Sequence, residues 1–79
     1  MITTLITRNN CMWCDKVKEE LRKYPQILVY EYNLSLEPVL LDFVQSSGFK
    51  TVPIFLHGGR VIGGYEDTVK YVRGMFDGE

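Results

Sequence analysis

The sequence predicts an α/β fold, a four-stranded mixed sheet flanked by helices in the order β-α-β-α-β-β-α, from three patterns. Two short, β-branched apolar runs, each followed by a stretch with helical apolar spacing, open the chain. A pair of apolar runs around a double glycine follows, and a last amphipathic stretch closes it.

Each element has its own signal. Ile2 to Thr7 is short, apolar and β-branched, as a buried strand requires. From Cys14 to Tyr24, Val17, Leu21 and Tyr24 recur at helical spacing while Lys16, Lys18, Glu19, Glu20, Arg22 and Lys23 face elsewhere, which predicts an amphipathic helix. Ile27 to Tyr32 is almost continuously apolar and reads as a central parallel strand. Ser35 is a candidate cap for a second helix, with Pro38 in its first turn, Val39, Leu40, Phe43 and Val44 as its apolar stripe, and Gly48 ending it. Strand, helix, strand implies a right-handed parallel crossover. Ile54 to Leu56 and Val61 to Ile62 then flank His57-Gly58-Gly59-Arg60, a hairpin signal. Gly63-Gly64 breaks the pair, and a final helix turns Val69, Val72 and Phe76 inward.

Composition narrows the class of protein. The 79 residues suit one domain, residues 1–79, near the lower limit of what a single core stabilises. Nine basic and ten acidic residues give a formal charge of −1, so neither a nucleic acid nor a membrane surface is an expected partner. There is no apolar run long enough to span a bilayer and no charged segment followed by an apolar export region. A cytoplasmic monomer is the expectation.

The chemistry is concentrated in Cys11-Met12-Trp13-Cys14, which falls between the first strand and its helix. A thiol at a helix N-terminus meets unpaired backbone N–H groups and the positive end of the dipole, and both favour the thiolate. Cys11 is therefore the candidate nucleophile. Cys14, one turn further in, is the candidate resolving thiol, attacking a mixed disulfide on Cys11. Two other uses of the pair remain open. A structural zinc site needs four ligands, and beyond the pair only His57 is offered. A static disulfide would close a very short loop, with little entropic benefit. In a reducing compartment, catalytic use of the pair fits better.

Three ordered motifs carry a family resemblance: Arg8-Asn9-Asn10-Cys11-Met12-Trp13-Cys14, Thr51-Val52-Pro53 and Gly63-Gly64-Tyr65-Glu66-Asp67. In these, across nearly its whole length, the chain resembles the glutaredoxins of the thioredoxin fold, and its small size is like that of bacterial or phage-encoded members. The resemblance implies a glutathione-dependent thiol-disulfide oxidoreductase, with host cytoplasm as the location if the gene is a phage's. It assigns the redox-active disulfide to Cys11 and Cys14, with no bound metal. It implies a cis bond between Val52 and Pro53 in a loop after Thr51, with the Val52 backbone pairing with glutathione like a short added strand. Gly63 and Gly64 would let glutathione lie close to the chain. The Glu66 N–H would receive the γ-glutamyl carboxylate at a helix N-terminus, and Asp67 would contact its amine. Helix capping is the ordinary use of such acids. Arg8 would favour the thiolate and attract the glycyl carboxylate.

Two departures from the family pattern matter. Trp13 replaces the usual tyrosine, keeping an aromatic surface without a phenol, and Met12 replaces proline, restoring a backbone donor. Three alternatives follow: a redoxin reduced by thioredoxin reductase that serves ribonucleotide reductase, an iron–sulfur carrier, and a binding module with incidental cysteines. Ribonucleotide reductase is also a family expectation as protein substrate. His57 beside the glycine turn reads as a surface residue of the hairpin, and Tyr30, Tyr32, Phe43, Phe55, Tyr71 and Phe76 read as packing.

Overall fold

The computed structural model describes residues 1–46, 48 and 51–78. Eight elements follow the expected order: β1 (Ile2–Thr7), α1 (Met12–Leu21), β2 (Leu28–Asn33), a 3₁₀ turn (Pro38–Leu40) running into α2 (Leu41–Ser46), β3 (Ile54–His57), β4 (Arg60–Gly63) and α3 (Tyr65–Phe76). The sheet is mixed, with strand order β2-β1-β3-β4. β1 pairs with β2 in parallel, from Ile2 opposite Leu28 to Thr7 opposite Asn33, and with β3 antiparallel. β3 and β4 form the hairpin predicted from the double glycine. Gly58 and Gly59 both have positive φ, 59° and 80°, the backbone that a two-residue turn between twisted strands needs.

Side-chain alternation divides the core between the two faces of the sheet. On one face, Leu5 and Phe55 meet Val17 and Leu21 of α1 and Val72 of α3, with Tyr24 and Ile27 at the margin. On the other, Ile6, Ile54 and Leu56 meet Val44 of α2. Burying Phe55, Leu5, Val17 and Val72 almost completely supplies the main driving force, on the order of 1.5–3 kcal/mol for each large apolar side chain. Polar contacts fix α1 against α3. The buried carboxylate of Glu20 accepts from Arg73 Nη2 at 3.3 Å and Lys23 Nζ at 3.0 Å, and the Tyr24 hydroxyl donates to Asp77 at 2.7 Å.

Three expectations are corrected. β2 is an edge strand, not a central one, because β3 enters on the opposite side of β1. Its apolar residues are consequently half exposed: Leu28 and Tyr30 are each 50% accessible and Tyr32 39%. Ser35 does not cap the second helix. Its hydroxyl accepts the Asn9 N–H at 3.0 Å, while its own N–H donates to the Asn33 side chain at 2.8 Å. The stripe on that helix is also narrower than its spacing suggests, since the segment starts as a 3₁₀ turn with three residues per turn; Val44 is buried but Val39 is 80% exposed and Phe43 46%. Pro38 does occupy the first turn.

Candidate active site

The loop between β1 and α1 sets the geometry of the cysteines. Asn10 has φ 55°, a left-handed conformation that asparagine tolerates, and it turns the chain into the helix. Asn9 ties this loop to the one after β2, accepting from Asn33 Nδ2 at 3.0 Å and donating its backbone N–H to Ser35. Cys11 then sits at the N-cap of α1 with extended backbone, φ −121° and ψ 103°. α1 thus starts before the apolar spacing shows it and stops at Leu21, with Tyr24 packing from the turn beyond.

Cys11 and Cys14 are at disulfide distance, with Cα atoms 5.2 Å apart. The Cys14 N–H donates to Cys11 Sγ at 3.1 Å, so one of the orphan donors of the helix start is aimed at that sulfur. Such a contact, with the dipole of α1 behind it, favours negative charge on Cys11 once the pair is reduced. Cys14 is the more deeply buried, 1% exposed against 6% for Cys11. The burial order matches a nucleophile at the mouth and a partner beneath it.

Across from the cysteines, the Val52–Pro53 bond is cis and Cys11 Sγ lies 3.9 Å from the Val52 carbonyl oxygen. Pro53 is buried, and its carbonyl lies beneath Gly64, where a Cβ would be 3.6 Å away, in ordinary contact. Gly63 is more constrained. Its φ is +140°, and a Cβ there would fall 2.8 Å from Asp67 Cβ and 2.9 Å from Asp67 Cγ. Gly64 is the N-cap of α3 but offers no side-chain cap, so Glu66 and Asp67 in the first turn complement the dipole by charge alone.

A cleft of about 440 Å³ joins these parts. Of the residues singled out by sequence, Arg8, Cys11, Trp13, Thr51, Val52, Pro53, Gly64 and Glu66 line it. Cys14 lies beneath; Gly63 and Asp67 are not among the lining residues. Tyr65 is the residue that sequence reasoning missed. Its ring packs against Trp13 with centroids 5.3 Å apart, forming an aromatic wall between the starts of α1 and α3, and Lys16 Nζ lies 4.7 Å from the Trp13 ring centre. The signal was its position: it directly follows Gly64, so the turn that exposes the glycine backbone also brings the next side chain to the cleft.

His57 belongs elsewhere. It lies at the hairpin, partly buried, with Nδ1 2.6 Å from the Tyr71 hydroxyl. Among the described residues, no three His, Cys, Asp or Glu side chains gather as a metal site, and no helix is long and apolar enough to cross a membrane.

Comparison with known proteins agrees with this geometry. The fold is shared with the glutaredoxin-like NrdH-redoxin of Escherichia coli, described as having a thioredoxin-like activity profile: TM-score 0.77, 20% identity, covering 91% of this chain and 95% of that one. Reduced Escherichia coli glutaredoxin superposes with TM-score 0.72 at 24% identity, over 98% and 99% of the two chains. A buckwheat glutaredoxin–glutathione complex gives TM-score 0.64 at 22% identity, over 96% of this chain and 69% of that chain. No match is found among curated protein sequences. The glutaredoxin family model matches residues 3–62, a span that runs from β1 through the cysteine pair and the Val52–Pro53 loop into β4, and so the chain belongs to the glutaredoxin family of thiol-disulfide redox proteins.

Proposed function

We propose that this protein is a dithiol glutaredoxin that uses glutathione to reduce protein disulfides and glutathione mixed disulfides. The observation that carries the reading is the meeting, in one cleft, of the Cys11 sulfur, the Val52 backbone beside a cis proline, the Arg8 cation and the N-terminus of α3. Glutathione is a short extended peptide with a carboxylate at each end. The Val52 backbone would pair with its cysteinyl part, as an added strand does. Arg8 would take the glycyl carboxylate, and the Glu66 N–H in the first turn of α3 would take the γ-glutamyl carboxylate. Trp13 and Tyr65 would wall the side of the site.

The chemistry is a chain of thiol exchanges. The Cys11 thiolate attacks one sulfur of a substrate disulfide; a Cys11 mixed disulfide forms, and the other sulfur leaves as a thiolate and takes a proton. Cys14 then attacks Cys11 Sγ, releasing the second substrate thiol and leaving the Cys11–Cys14 disulfide. One glutathione opens that disulfide to a Cys11–glutathione bond, and a second attacks the glutathionyl sulfur. Two electrons pass from two glutathiones, which leave as oxidised glutathione. Removal of glutathione from a mixed disulfide needs only Cys11. A reducing cytoplasm, where glutathione is abundant, is the setting in which this cycle runs forward.

A second reading is favoured by one observation. Asp67 lies against Gly63 and outside the lining of the cleft, so the carboxylate that the family pattern sets against the γ-glutamyl amine is not on the cleft wall. A redoxin reduced by thioredoxin reductase and serving ribonucleotide reductase would need no such partner. Mass spectrometry separates the two. Cys14→Ser incubated with oxidised glutathione should accumulate one glutathionyl group on Cys11; a variant that stays unmodified would remove glutathione from the proposal.

A further inference from the structure

β2 is the edge of the sheet with an open backbone side. Leu28 donates its N–H to the Met1 carbonyl at 2.7 Å and its carbonyl accepts from the Thr3 hydroxyl at 3.1 Å; Leu34 donates to the Thr7 carbonyl at 2.8 Å. Strand alternation therefore points the N–H and C=O groups of Val29 and Glu31 away from β1, and no described strand pairs with them. The side chains of those two residues line a groove of about 300 Å³ between β2 and α1, together with Leu5, Leu21 and Ile27. Its rim carries two cations, Lys18 and Arg22, against one carboxylate, Glu31. Lys18 is bonded to Glu31 at 3.3 Å and approaches Asp15 at 3.9 Å, but Arg22, also lining the groove, makes no ion pair among the described residues.

The geometry points to the outer edge of β2 as a docking site for an extended, acidic and apolar segment of the disulfide-bearing protein partner, added as a fifth strand. An open edge supplies main-chain hydrogen bonds, and a groove beside it selects alternate side chains. The residue entering opposite Val29 is apolar, over Leu5, Leu21 and Ile27. A neighbouring acid meets Arg22, which acts on Glu31 only at a distance and makes no ion pair with it, and Lys18 offsets the repulsion from Glu31. On the other face of β2, the half-exposed Leu28 and Tyr30 give the intervening side chains an apolar surface. The ten residues of α1 span about 15 Å, so a segment held here keeps its protein's disulfide within reach of Cys11 and raises its effective concentration. The partner's disulfide rests on the proposed oxidoreductase reading; the docking does not.

Two blocked peptides test it, one alternating leucine with aspartate and the other leucine with lysine, titrated into the ¹⁵N-labelled oxidised protein. The acidic peptide should shift the amides of Arg22 and Leu28–Asn33 in a saturable way, and the lysine peptide should not. Arg22→Glu should weaken the acidic peptide on the order of five- to tenfold. Val29→Pro removes an outward N–H without breaking the β1 pairing and should weaken it comparably. Absence of binding, shifts confined to the Cys11 cleft, equal binding of the lysine peptide, or unchanged affinity in Arg22→Glu would each overturn the proposal. So would shifts that follow protein concentration alone, since a second copy would then hold the edge. Docking that survives while glutathione fails to react with Cys11 would keep this site and remove the functional reading instead.

Discussion

Replacing Gly63 with alanine should be far more costly than the same change at Gly58, and the structure says why. Both glycines have positive φ, +59° at Gly58 and +140° at Gly63, but an added Cβ meets nothing within 4 Å at Gly58. Gly58→Ala therefore carries backbone strain alone, about 1–2 kcal/mol. At Gly63 the strain is about 1–3 kcal/mol. There the new methyl also falls onto Asp67, 2.8 Å from its Cβ and 2.9 Å from its Cγ, closer than unbonded carbons approach. Relieving the overlap moves the first turn of α3 or the end of β4, at an overpacking cost of about 1–3 kcal/mol. The total, about 2–6 kcal/mol, is a large part of the stability of a small domain and should lower Tm by at least about 8 °C. Urea unfolding of both variants measures the difference through the midpoint at unchanged m value. Adding Asp67→Ala should recover only part of the loss, because the Asp67 Cβ remains in the way. Equal costs for Gly58→Ala and Gly63→Ala would refute the collision.

Other expectations are simpler to state. Cys14→Ser should keep activity on glutathione mixed disulfides while Cys11→Ser loses all of it; comparable residual activity in both would sink the assignment of roles. Phe55→Ala should cost about 3–5 kcal/mol in urea unfolding, because Phe55 is 0% exposed, and Phe43→Ala, at a 46% exposed position, should stay within about 0.5 kcal/mol. The Glu31 carboxyl is held below its ordinary value of 4.5, first by the Thr7 hydroxyl, which donates to it at 2.6 Å, and then by Lys18. A depressed folded-state value means that its stabilisation is present above the ordinary value and lost as pH falls through the depressed one. Thr7→Val should accordingly destabilise by about 1 kcal/mol near pH 7, an effect moderated by solvent screening, and by less near pH 3; a penalty independent of pH would contradict the role given to Glu31.

How far sequence reading reached depended on whether the controlling forces were local. β1, the β3–β4 hairpin and α3 were legible because β-branched runs, Gly58-Gly59 and the Val69, Val72, Phe76 spacing act within a few residues. α1 was legible in kind, although its start was set by Cys11 as cap and not by the apolar stripe. The position of β2 was not local. Its composition says strand, while its place at the edge depends on which side of β1 the distant β3 takes. Ser35 illustrates competition between equal partners: the same hydroxyl could cap a helix or brace Asn9, and tertiary contact with the active-site loop decides for Asn9. The cleft was read from motif resemblance for Arg8, Cys11, Trp13, Thr51-Val52-Pro53, Gly64 and Glu66, which do come together there, whereas Cys14 lies beneath it and Gly63 and Asp67 lie outside its lining. Tyr65 was overlooked because an aromatic residue at a helix start has the same appearance as one entering the core, and Trp13, the ring it packs against, comes from another part of the chain.

The central claim is that glutathione supplies the electrons to Cys11 and Cys14. The most direct measurement follows NADPH consumption by the oxidised protein turning over a disulfide substrate, with glutathione and glutathione reductase in one arm and thioredoxin reductase alone in the other. Rapid turnover only with glutathione is the predicted result; turnover only with thioredoxin reductase would leave the fold standing and contradict the binding site assigned to Arg8, Val52, Gly64 and Glu66.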